Sequence, residues 1–276
     1  MASEVLRLWS ESAPYWEKHR KAIGAMFAPM SHALIEETAI VPGHRVLDVA
    51  GGVGNPSLEI AGVCAPSGWV ACTDAIRAML TVARRRADEE GSANVHFAQC
   101  LGDSLPFRSS SFDAVVSRLG VMFLSDPLAG VREMLRVLKP KGRLSLAVWA
   151  GPQVNPFFTI LPQALSRYVS MPPPDPDAPG AFRFAEEGKL AKLVAQAGAG
   201  NVQERVLTFQ IEAPVALEDF TTLRCELSDA LREKAKQLTT AQLADVDREV
   251  REVGRSFFPN NRMSFPARSL LVTGQK

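Results

Sequence analysis

The chain has 276 residues, of which 46% are hydrophobic and 22% charged, so it can bury the core of one elaborated domain or of a domain with a cap. Its 31 lysines and arginines against 30 aspartates and glutamates disfavour nucleic acid as the main partner, because binding a phosphate backbone usually needs a basic face. The first residues are charged, and the chain lacks an uninterrupted run of about 18 apolar residues. We therefore expect neither a secretory signal nor a membrane-spanning helix.

Cysteine and histidine are sparse and are not spaced as metal ligands. The four cysteines form no CxxC pair, and the four histidines show neither HxxxH nor HExxH spacing. Unpaired, buried thiols are typical of a reducing compartment. We therefore expect a cytoplasmic protein without a metal site.

Helix-like and strand-like runs alternate over the first half of the chain. Residues 1–42 predict an N-terminal helical extension that ends at the helix-stopping pair Pro42-Gly43. Strands that alternate with crossover helices form a parallel sheet with helices on both faces. The predicted strands are RVLDVA, GWVACTD, NVHFAQC, FDAVVSR and RLSLAVWA, and the predicted helices include 75–90 and 126–138.

The alternation ends after Ala150. Eight of the 19 prolines lie within 152–179, which predicts a loop-rich insertion with one helix near 157–168. The rest of the pattern is a helix over 186–198, a strand over 202–211, helices over 217–258 and a final strand over 268–274.

The stretch VLDVAGGVGN ends the first strand in a glycine-rich turn that is typical of nucleotide-binding loops. A dinucleotide fingerprint has the pattern GxGxxG, and Gly52 and Gly54 supply its first two glycines. Ser57 stands where the third should be, so the turn alone does not identify the nucleotide. Asn55 is predicted to cap the next helix, with Pro56 in its first turn.

The charge of Asp48, just before the turn, discriminates between two candidate ligands. A carboxylate in a low-dielectric crevice would repel a pyrophosphate. S-adenosylmethionine carries no phosphate, and its ammonium and sulfonium groups are positive. Asp48 therefore favours S-adenosylmethionine over a dinucleotide.

Asp74 ends the second strand, 26 residues after Asp48, where an acid can accept both ribose hydroxyls. This feature fits NAD as well, so it indicates a nucleoside and not its identity. A helix N-cap is the alternative role for Asp74. Ala75, Ile76 and Met79 follow and would offer apolar walls to the adenine.

Four stretches in order resemble the successive motifs of class I S-adenosylmethionine-dependent methyltransferases, most strongly the ubiquinone/menaquinone-biosynthesis type. They are VLDVAGGVG, VACTDAIRAML, GDSLPFRSSSFDAVVSRLGVMF and VREMLRVLKPKGRLSLAVW. The resemblance implies an α/β fold with a Rossmann-like, seven-stranded, mostly parallel sheet and helices on both faces. It also implies an antiparallel last strand, which suits RSLLVTG, and S-adenosyl-L-methionine as cofactor with S-adenosyl-L-homocysteine as product.

The chain departs from the family pattern at two positions of the implied cofactor site. The family usually has glycine where Ala50 stands, so the turn is tighter here. It usually has an acid that reaches the adenine amino group at the position of Leu101, and Gly102 or Asp103 is the candidate to replace that contact. The whole predicted cofactor-binding set is Asp48, Ala50, Gly51, Gly52, Gly54, Asn55, Asp74, Ala75, Ile76, Met79, Gly102, Asp103, Ser104, Ser117, Arg118 and Leu119.

The end of the fourth strand lies where relatives contact the methionine moiety. Ser117, Arg118 and Leu119 occupy that position. Arg118 is equally suited to a structural role as partner of a nearby carboxylate.

Methyl transfer needs alignment of the acceptor, exclusion of water and, where the acceptor carries a proton, its removal. No particular side chain is obligatory. His19 and His32 are the candidate bases, because the N-terminal helices of such folds often close over the cofactor. A surface or capping role is the alternative for each.

Aromatic residues on both sides of the core are candidates for the acceptor pocket. Tyr15 and Trp16 can line it, although packing of the extension onto the sheet is the alternative. Phe157 and Phe158 lie past the fifth strand, near the edge where open α/β sheets place their ligands. They predict an apolar lid and a hydrophobic acceptor.

The sequence therefore predicts an enzyme, a methyltransferase that uses S-adenosylmethionine to methylate a small hydrophobic organic molecule. Its domain would span 43–276, with lid or substrate insertions at about 151–185 and 214–262, and the chain would be a monomer or homodimer. The alternatives are an NAD(P)-dependent oxidoreductase and a cofactor-binding homologue that does not methylate.

Overall fold

The computed structural model describes residues 2–173 and 175–276, and its strands form one seven-stranded sheet. The strands are β1 Arg45–Val49, β2 Trp69–Asp74, β3 Val95–Gln99, β4 Phe112–Arg118, β5 Leu138–Trp149, β6 Gly200–Ala213 and β7 Met263–Gln275. Their order across the sheet is β3-β2-β1-β4-β5-β7-β6.

Helices connect these strands and precede β1. They are α1 Ala2–Lys18, α2 Arg20–Thr38, α3 Ser57–Cys64, α4 Arg77–Glu90, α5 Pro127–Val137, α6 Ile160–Leu165, α7 Lys189–Gln196, α8 Phe220–Glu226, α9 Asp229–Ala235 and α10 Thr240–Gly254. Short 3-10 turns include Val121–Phe123 after β4 and Pro156–Phe158 after β5.

The sheet has the predicted topology. Strands β1 to β5 pair in parallel, and β7 pairs antiparallel with both β5 and β6. The prediction of a mostly parallel, seven-stranded sheet with an antiparallel last strand is therefore confirmed. The strand order reverses between β1 and β4, and open α/β sheets bind their ligands in the crevice at the carboxyl ends of such strands.

Continuous apolar runs explain why the central strands form. In β1 and β4 successive residues are buried, and successive side chains point to opposite faces, so both faces of the sheet are covered. Edge strand β6 instead alternates half-buried with exposed residues. Its charged positions, which include Glu204 and Arg205, suit an unpaired strand edge.

The N-terminal extension belongs to the core of the sheet. Helix α2 buries Ile23, Met26, Met30 and Leu34 completely, at the three- and four-residue spacing of one helix face. These side chains join the same cluster as the strands. The extension is thus integral to the domain and ends directly before β1.

The predicted cap of α3 is wrong. Helix α3 begins at Ser57 after Pro56, and no side chain caps it. Asn55 uses its amide otherwise: its Nδ2 donates to Glu59 at 2.7 Å, and its oxygen accepts from Arg86 at 2.7 Å. The Arg86 guanidinium, on α4, thus binds the side-chain oxygen of Asn55 that was predicted to cap α3.

Two element bounds also differ from the prediction. Strand β5 starts at Leu138 rather than at Arg143, because the chain turns from α5 directly into the sheet. The helix predicted near 157–168 is a 3-10 turn followed by the six-residue α6. Within the described residues, helices with both the length and the apolarity to cross a bilayer are lacking.

The glycine turn yields a stability prediction at Gly54. Its φ is +101°, and an added Cβ would lie 3.2 Å from Leu58 and 3.3 Å from Ala83. Gly54→Ala should lower the free energy of unfolding by about 2 kcal/mol, since alanine is strained at positive φ. Gly62 of α3 has nothing within 4 Å of an added Cβ and serves as the matched control. Gly62→Ala should raise stability by about 0.5–1 kcal/mol in urea denaturation, and equal effects at the two sites would contradict the prediction.

Candidate active site

The carboxyl end of β1 carries a buried acid. Asp48 is 0% exposed, and its Oδ2 accepts a hydrogen bond from the Ser57 hydroxyl at 2.6 Å. Its other oxygen, Oδ1, is buried and has no hydrogen-bond partner in the described residues. Buried polar atoms are nearly always satisfied in folded proteins, so Oδ1 fits a donor supplied by a ligand.

The surroundings of Asp48 set its charge. Burial raises its pKa to about 6, and the Asp74 charge acts in the same direction. The hydrogen bond from Ser57 and the charge of Arg118 oppose that rise. The carboxyl is thus ionised at neutral pH in a site where a ligand cation would be favoured.

The glycine turn has left-handed backbone where the sequence has small residues. Ala50, Gly52 and Gly54 all have positive φ, with Ala50 at 60°. A Cβ on Gly120, opposite the turn, would lie 2.5 Å from the Ala50 Cβ. A glycine at 120 therefore makes room for alanine at the position where the family usually has glycine. A Cβ on Gly51 would lie 2.7 Å from the Cys72 sulfur, so this residue must stay small.

Asp74 joins the glycine turn to the end of β2. Its Oδ2 accepts from the Gly52 amide at 3.0 Å, and its Oδ1 accepts from the Ile76 amide at 2.8 Å. Burial raises its pKa, and these backbone hydrogen bonds oppose the rise. Ile76 is itself the N-cap residue of α4, and no described side chain caps that helix, so the helix-capping alternative for Asp74 is wrong. Each carboxylate oxygen has two acceptor sites, so both retain capacity for hydroxyl donors.

Helix α1 covers the side of the crevice that was predicted to hold the adenine. Ile76 and Met79 pack in one small cluster with Val53 of the turn and Ala13 of α1. Leu6, Trp9 and Trp16 pack against the same cluster. The sequence analysis assigned the two α4 residues to the adenine wall but did not anticipate that α1 lies directly on them.

Trp9 and Phe123 lie beside the candidate site and were not among the predicted residues. Their rings meet edge to face, 5.0 Å apart, and connect α1 to the 3-10 turn after β4. Glu17 of α1 also pairs with Arg85 of α4. The concentration of aromatic residues before the first strand was the available signal.

The stretch after β3 is more open. Leu101 is 46% exposed, an unusual position for a large apolar side chain. Asp103 is half-buried and accepts from the Ser125 hydroxyl at 3.2 Å, and Ser104 is exposed. Gly102 fits tightly, since a Cβ there would lie 2.7 Å from Leu124.

The end of β4 is held from two sides. The Ser117 hydroxyl donates to the Val49 carbonyl at 2.8 Å. Buried Arg118 donates to the Ser31 hydroxyl at 2.9 Å and to the Phe27 carbonyl at 3.3 Å, both on α2. Its hydrogen bonds thus go to α2 rather than to the carboxylate that the structural alternative had suggested. The next residue, Leu119, has a φ of 61°.

The aromatic candidates for the acceptor pocket differ in their surroundings. Trp16 has a buried Nε1 without a hydrogen-bond partner in the described residues. The Tyr15 ring lies 4.8 Å from the guanidinium of Arg232 on α9. Phe157 is 1% exposed, whereas Phe158 is half-buried. Phe158 is therefore the better placed of the two to contact a ligand.

The two candidate bases lie in different settings. His19, between α1 and α2, places Nε2 2.5 Å from a carboxylate oxygen of Glu226 on α8. Lys18 donates to the same carboxylate at 2.7 Å. His32 is exposed on α2. Glu226 was not among the predicted residues, because its distance of 207 positions from His19 hides the contact in the sequence.

Comparison with known proteins gives a family and a fold. The model of the ubiE/COQ5 methyltransferase family matches residues 31–172, slightly more than half of the chain. The ubiquinone/menaquinone biosynthesis C-methyltransferase UbiE of Ectopseudomonas mendocina is 40% identical over 119 residues, which are 43% of this chain and 46% of that protein. The chain thus matches about half the length of such relatives.

Solved structures agree at the level of the fold. YcgJ from Bacillus subtilis is similar with a TM-score of 0.57 and 22% identity, over 89% of this chain and 97% of that chain. The 4+2 cyclase SpnF is similar with a TM-score of 0.53 and 20% identity, over 90% of this chain and 79% of that chain. At such identities the likeness shows the fold alone.

The raised pKa of Asp48 predicts a pH-dependent stability. The folded value of about 6 exceeds the ordinary 3.8, so the native state binds the proton more tightly than the unfolded chain. This acid therefore lowers the free energy of unfolding by about 3 kcal/mol as pH rises from about 4 to about 6, and adds no further change above that range. Over the same pH range, the free energy of unfolding of Asp48→Asn should therefore rise by about 3 kcal/mol relative to that of the wild type. Denaturant titrations at each pH measure this difference.

Asp88→Asn, at an exposed position of α4, is the matched control. Its stability difference from the wild type should stay constant across this range. A constant difference for Asp48→Asn as well would show that burial does not perturb Asp48.

Proposed function

The chain belongs to the ubiE/COQ5 methyltransferase family, and from that membership and the crevice geometry we propose that it is an S-adenosylmethionine-dependent methyltransferase. Its acceptor would be a small hydrophobic organic molecule. The observation that carries the proposal is the buried Asp48, directly before the glycine turn, whose Oδ1 has no hydrogen-bond partner in the described residues. A buried anion there favours a cationic nucleoside and disfavours a pyrophosphate.

The residues around the crevice fit the cofactor. Asp48 would face the ammonium group of the cofactor, and Asp74 its ribose hydroxyls. The glycine turn would contact the cofactor through its backbone. Adenine would lie against Ala75, Ile76 and Met79, which requires α1 to pack over the nucleoside as well as over these residues. The remaining contacts that we assign are with Ala50, Gly51, Gly52, Gly54, Asn55, Gly102, Asp103, Ser104, Ser117, Arg118 and Leu119.

S-adenosylmethionine, when bound, supplies a methyl group on a good leaving group. The chain's own part is to align the acceptor and to exclude water. Trp9, Trp16 and Phe123 would close the site against solvent from the side of α1. The Arg118 side chain, fixed by the two hydrogen bonds that it donates to α2, would keep the end of β4 rigid against the acceptor.

The acceptor pocket would lie past β5, where Phe158 contacts Trp149 with ring centroids 4.8 Å apart. Residues 151–185 and 214–262 would form its lid. Aromatic walls favour a lipophilic acceptor, and Tyr15, Trp16 and Phe157 complete the assigned lining. The name of the Ectopseudomonas relative refers to quinone biosynthesis, which agrees with a lipophilic ring as acceptor.

His19 is the candidate base that the geometry supports better. Its Nε2 is bound to Glu226, so the other ring nitrogen would accept the acceptor proton while the carboxylate stabilises the resulting imidazolium. His32 stays a candidate only if its exposed side chain meets the acceptor. A cytoplasmic location and the absence of nucleic-acid partners also belong to the proposal, on the evidence of cysteine usage and charge, as does a monomeric or homodimeric state.

A second candidate function is a cofactor-binding homologue that does not methylate. Two departures from the family pattern, Ala50 and Leu101, favour it. The fold also occurs in a protein named as a cyclase, SpnF. Cofactor affinity without turnover on any acceptor would support this candidate.

Calorimetric titration tests the cofactor. We expect S-adenosylmethionine and S-adenosylhomocysteine to bind with micromolar affinity and NAD not to bind. Asp48→Asn should lower the affinity for the two sulfur nucleosides at least about tenfold, because the anion is lost. Asp74→Ala should lower it similarly, because the ribose contact is lost. Asp88→Asn is the control and should bind as the wild type does. Binding of NAD alone would refute the proposal and support an oxidoreductase.

A methyl-transfer screen tests the base. With radiolabelled S-adenosylmethionine and a panel of quinols and phenols, His19→Gln should lower kcat by about 100-fold or more while cofactor affinity stays unchanged. His32→Gln is the control and should keep both. An unchanged kcat in His19→Gln on an accepted substrate would remove His19 from the mechanism.

A further inference from the structure

Helix α8 carries a buried cation that the proposed chemistry does not use. Arg224 is 5% exposed, and its Nε is buried without a hydrogen-bond partner in the described residues. In the described residues no carboxylate forms an ion pair with its guanidinium, and the Cys225 thiol is the titratable neighbour that acts on its pKa. Burial lowers that pKa to about 10, which still leaves the guanidinium charged at neutral pH.

Aromatic rings form the floor beneath this guanidinium. Its carbon lies 4.3 Å from the centroid of the Phe157 ring and 5.0 Å from that of Phe158. Ring faces attract a cation, but they accept none of the five N–H donors in the way that an oxygen does. The stacking therefore explains the position of the Arg224 side chain and leaves its Nε without an oxygen acceptor in the described residues.

Arg118, the other buried arginine among the described residues, has the hydrogen-bond acceptors that Arg224 lacks. Arg118 is 9% exposed and also lies over a ring, that of Phe27. Its donors, however, reach the Ser31 hydroxyl and the Phe27 carbonyl. A buried cation without such acceptors is costly to keep, and groups of this kind concentrate at functional sites.

A row of rings connects Arg224 with the end of β4. Phe158 contacts Trp149 at 4.8 Å, and Trp149 contacts Phe27 at 5.5 Å. Arg118 lies over Phe27 at the crevice. The two arginines thus stand at opposite ends of one row of packed rings, in which Phe158 is half-buried and Trp149 and Phe27 are buried.

We propose that Arg224 binds the carboxylate of an aromatic acceptor whose ring lies against Phe158, the half-buried ring of this row. The planar guanidinium matches a carboxylate with two parallel hydrogen bonds, and the ring faces match a flat apolar body. The inference rests on the proposed function only where it names the bound molecule as the acceptor. The acceptor would then be oriented with its anionic end at α8 and its reacting end at β4.

Calorimetry with two matched probes tests the site. Protein saturated with S-adenosylhomocysteine is titrated with 1-naphthoate and with its neutral analogue 1-naphthamide, and the titrations are repeated without the nucleoside. We expect naphthoate to bind at least about tenfold more tightly than naphthamide. Arg224→Met should abolish that preference and leave naphthamide binding unchanged, and Arg224→Lys should retain part of it. Arg248→Met, at an exposed position of α10, is the control and should keep the full preference.

Thermal unfolding shows whether the variants fold. Removing an unpaired buried charge should leave the Tm of Arg224→Met at or above that of the wild type, whereas loss of a structural ion pair would lower it. Naphthoate should raise the Tm of the wild type and not that of Arg224→Met. If Arg224→Met does not fold, the difference between the affinities of the wild type for naphthoate and naphthamide still tests the inference.

The outcomes separate this inference from the proposed function. Equal affinity of the wild type for both probes, no binding of naphthoate, or a preference that persists in Arg224→Met would overturn the carboxylate site and leave the methyltransferase proposal intact. An Arg224-dependent preference in protein that fails to bind S-adenosylhomocysteine would support the site and refute the methyltransferase proposal.

Discussion

The hydrogen bond from Ser57 to the buried carboxylate of Asp48, 2.6 Å long, holds the crevice together. It ties the end of β1 to the first residue of α3, so the glycine turn between them has little freedom. Neighbouring strands reinforce it: the Thr73 hydroxyl of β2 donates to the Asp48 carbonyl, and the Ser117 hydroxyl of β4 donates to the Val49 carbonyl. Three strand ends are thus fixed around one acid, and the turn presents its backbone to a ligand in a preformed shape.

The preformed turn is also the platform for the N-terminal helix. Val53 is 3% exposed because α1 lies on it, and Arg86 fixes the same residue by donating to its carbonyl at 2.6 Å. Helix α1 is therefore placed by the turn that would bind the cofactor. A ligand that moved the turn would move α1, and closure of α1 would in turn restrict the ligand. Ligand binding and the packing of α1 would then be coupled through this contact.

Much of the fold was predictable because it depends on local patterns. Buried parallel strands have continuous apolar runs, and β4 was predicted with the bounds that the structure has. Contacts across the chain were not predictable. Asparagine is a common helix-capping residue, yet the side-chain oxygen of Asn55 accepts a hydrogen bond from Arg86 instead. Arg224 is indistinguishable in the sequence from an exposed arginine, since burial and the lack of a counter-charge appear only in three dimensions.

The site combines a buried anion, Asp48, with a buried cation, Arg224, and neither forms an ion pair within the described residues. Burial raises the pKa of Asp48 and lowers that of Arg224, so each charge destabilises the fold when nothing faces it. A ligand of opposite charge removes that penalty, and its binding energy adds to the stability of the folded state. The two charges also differ in sign, so one molecule cannot satisfy both with the same group. A cationic cofactor at Asp48 and an anionic acceptor at Arg224 would satisfy both at once, and each would be rejected at the other's position.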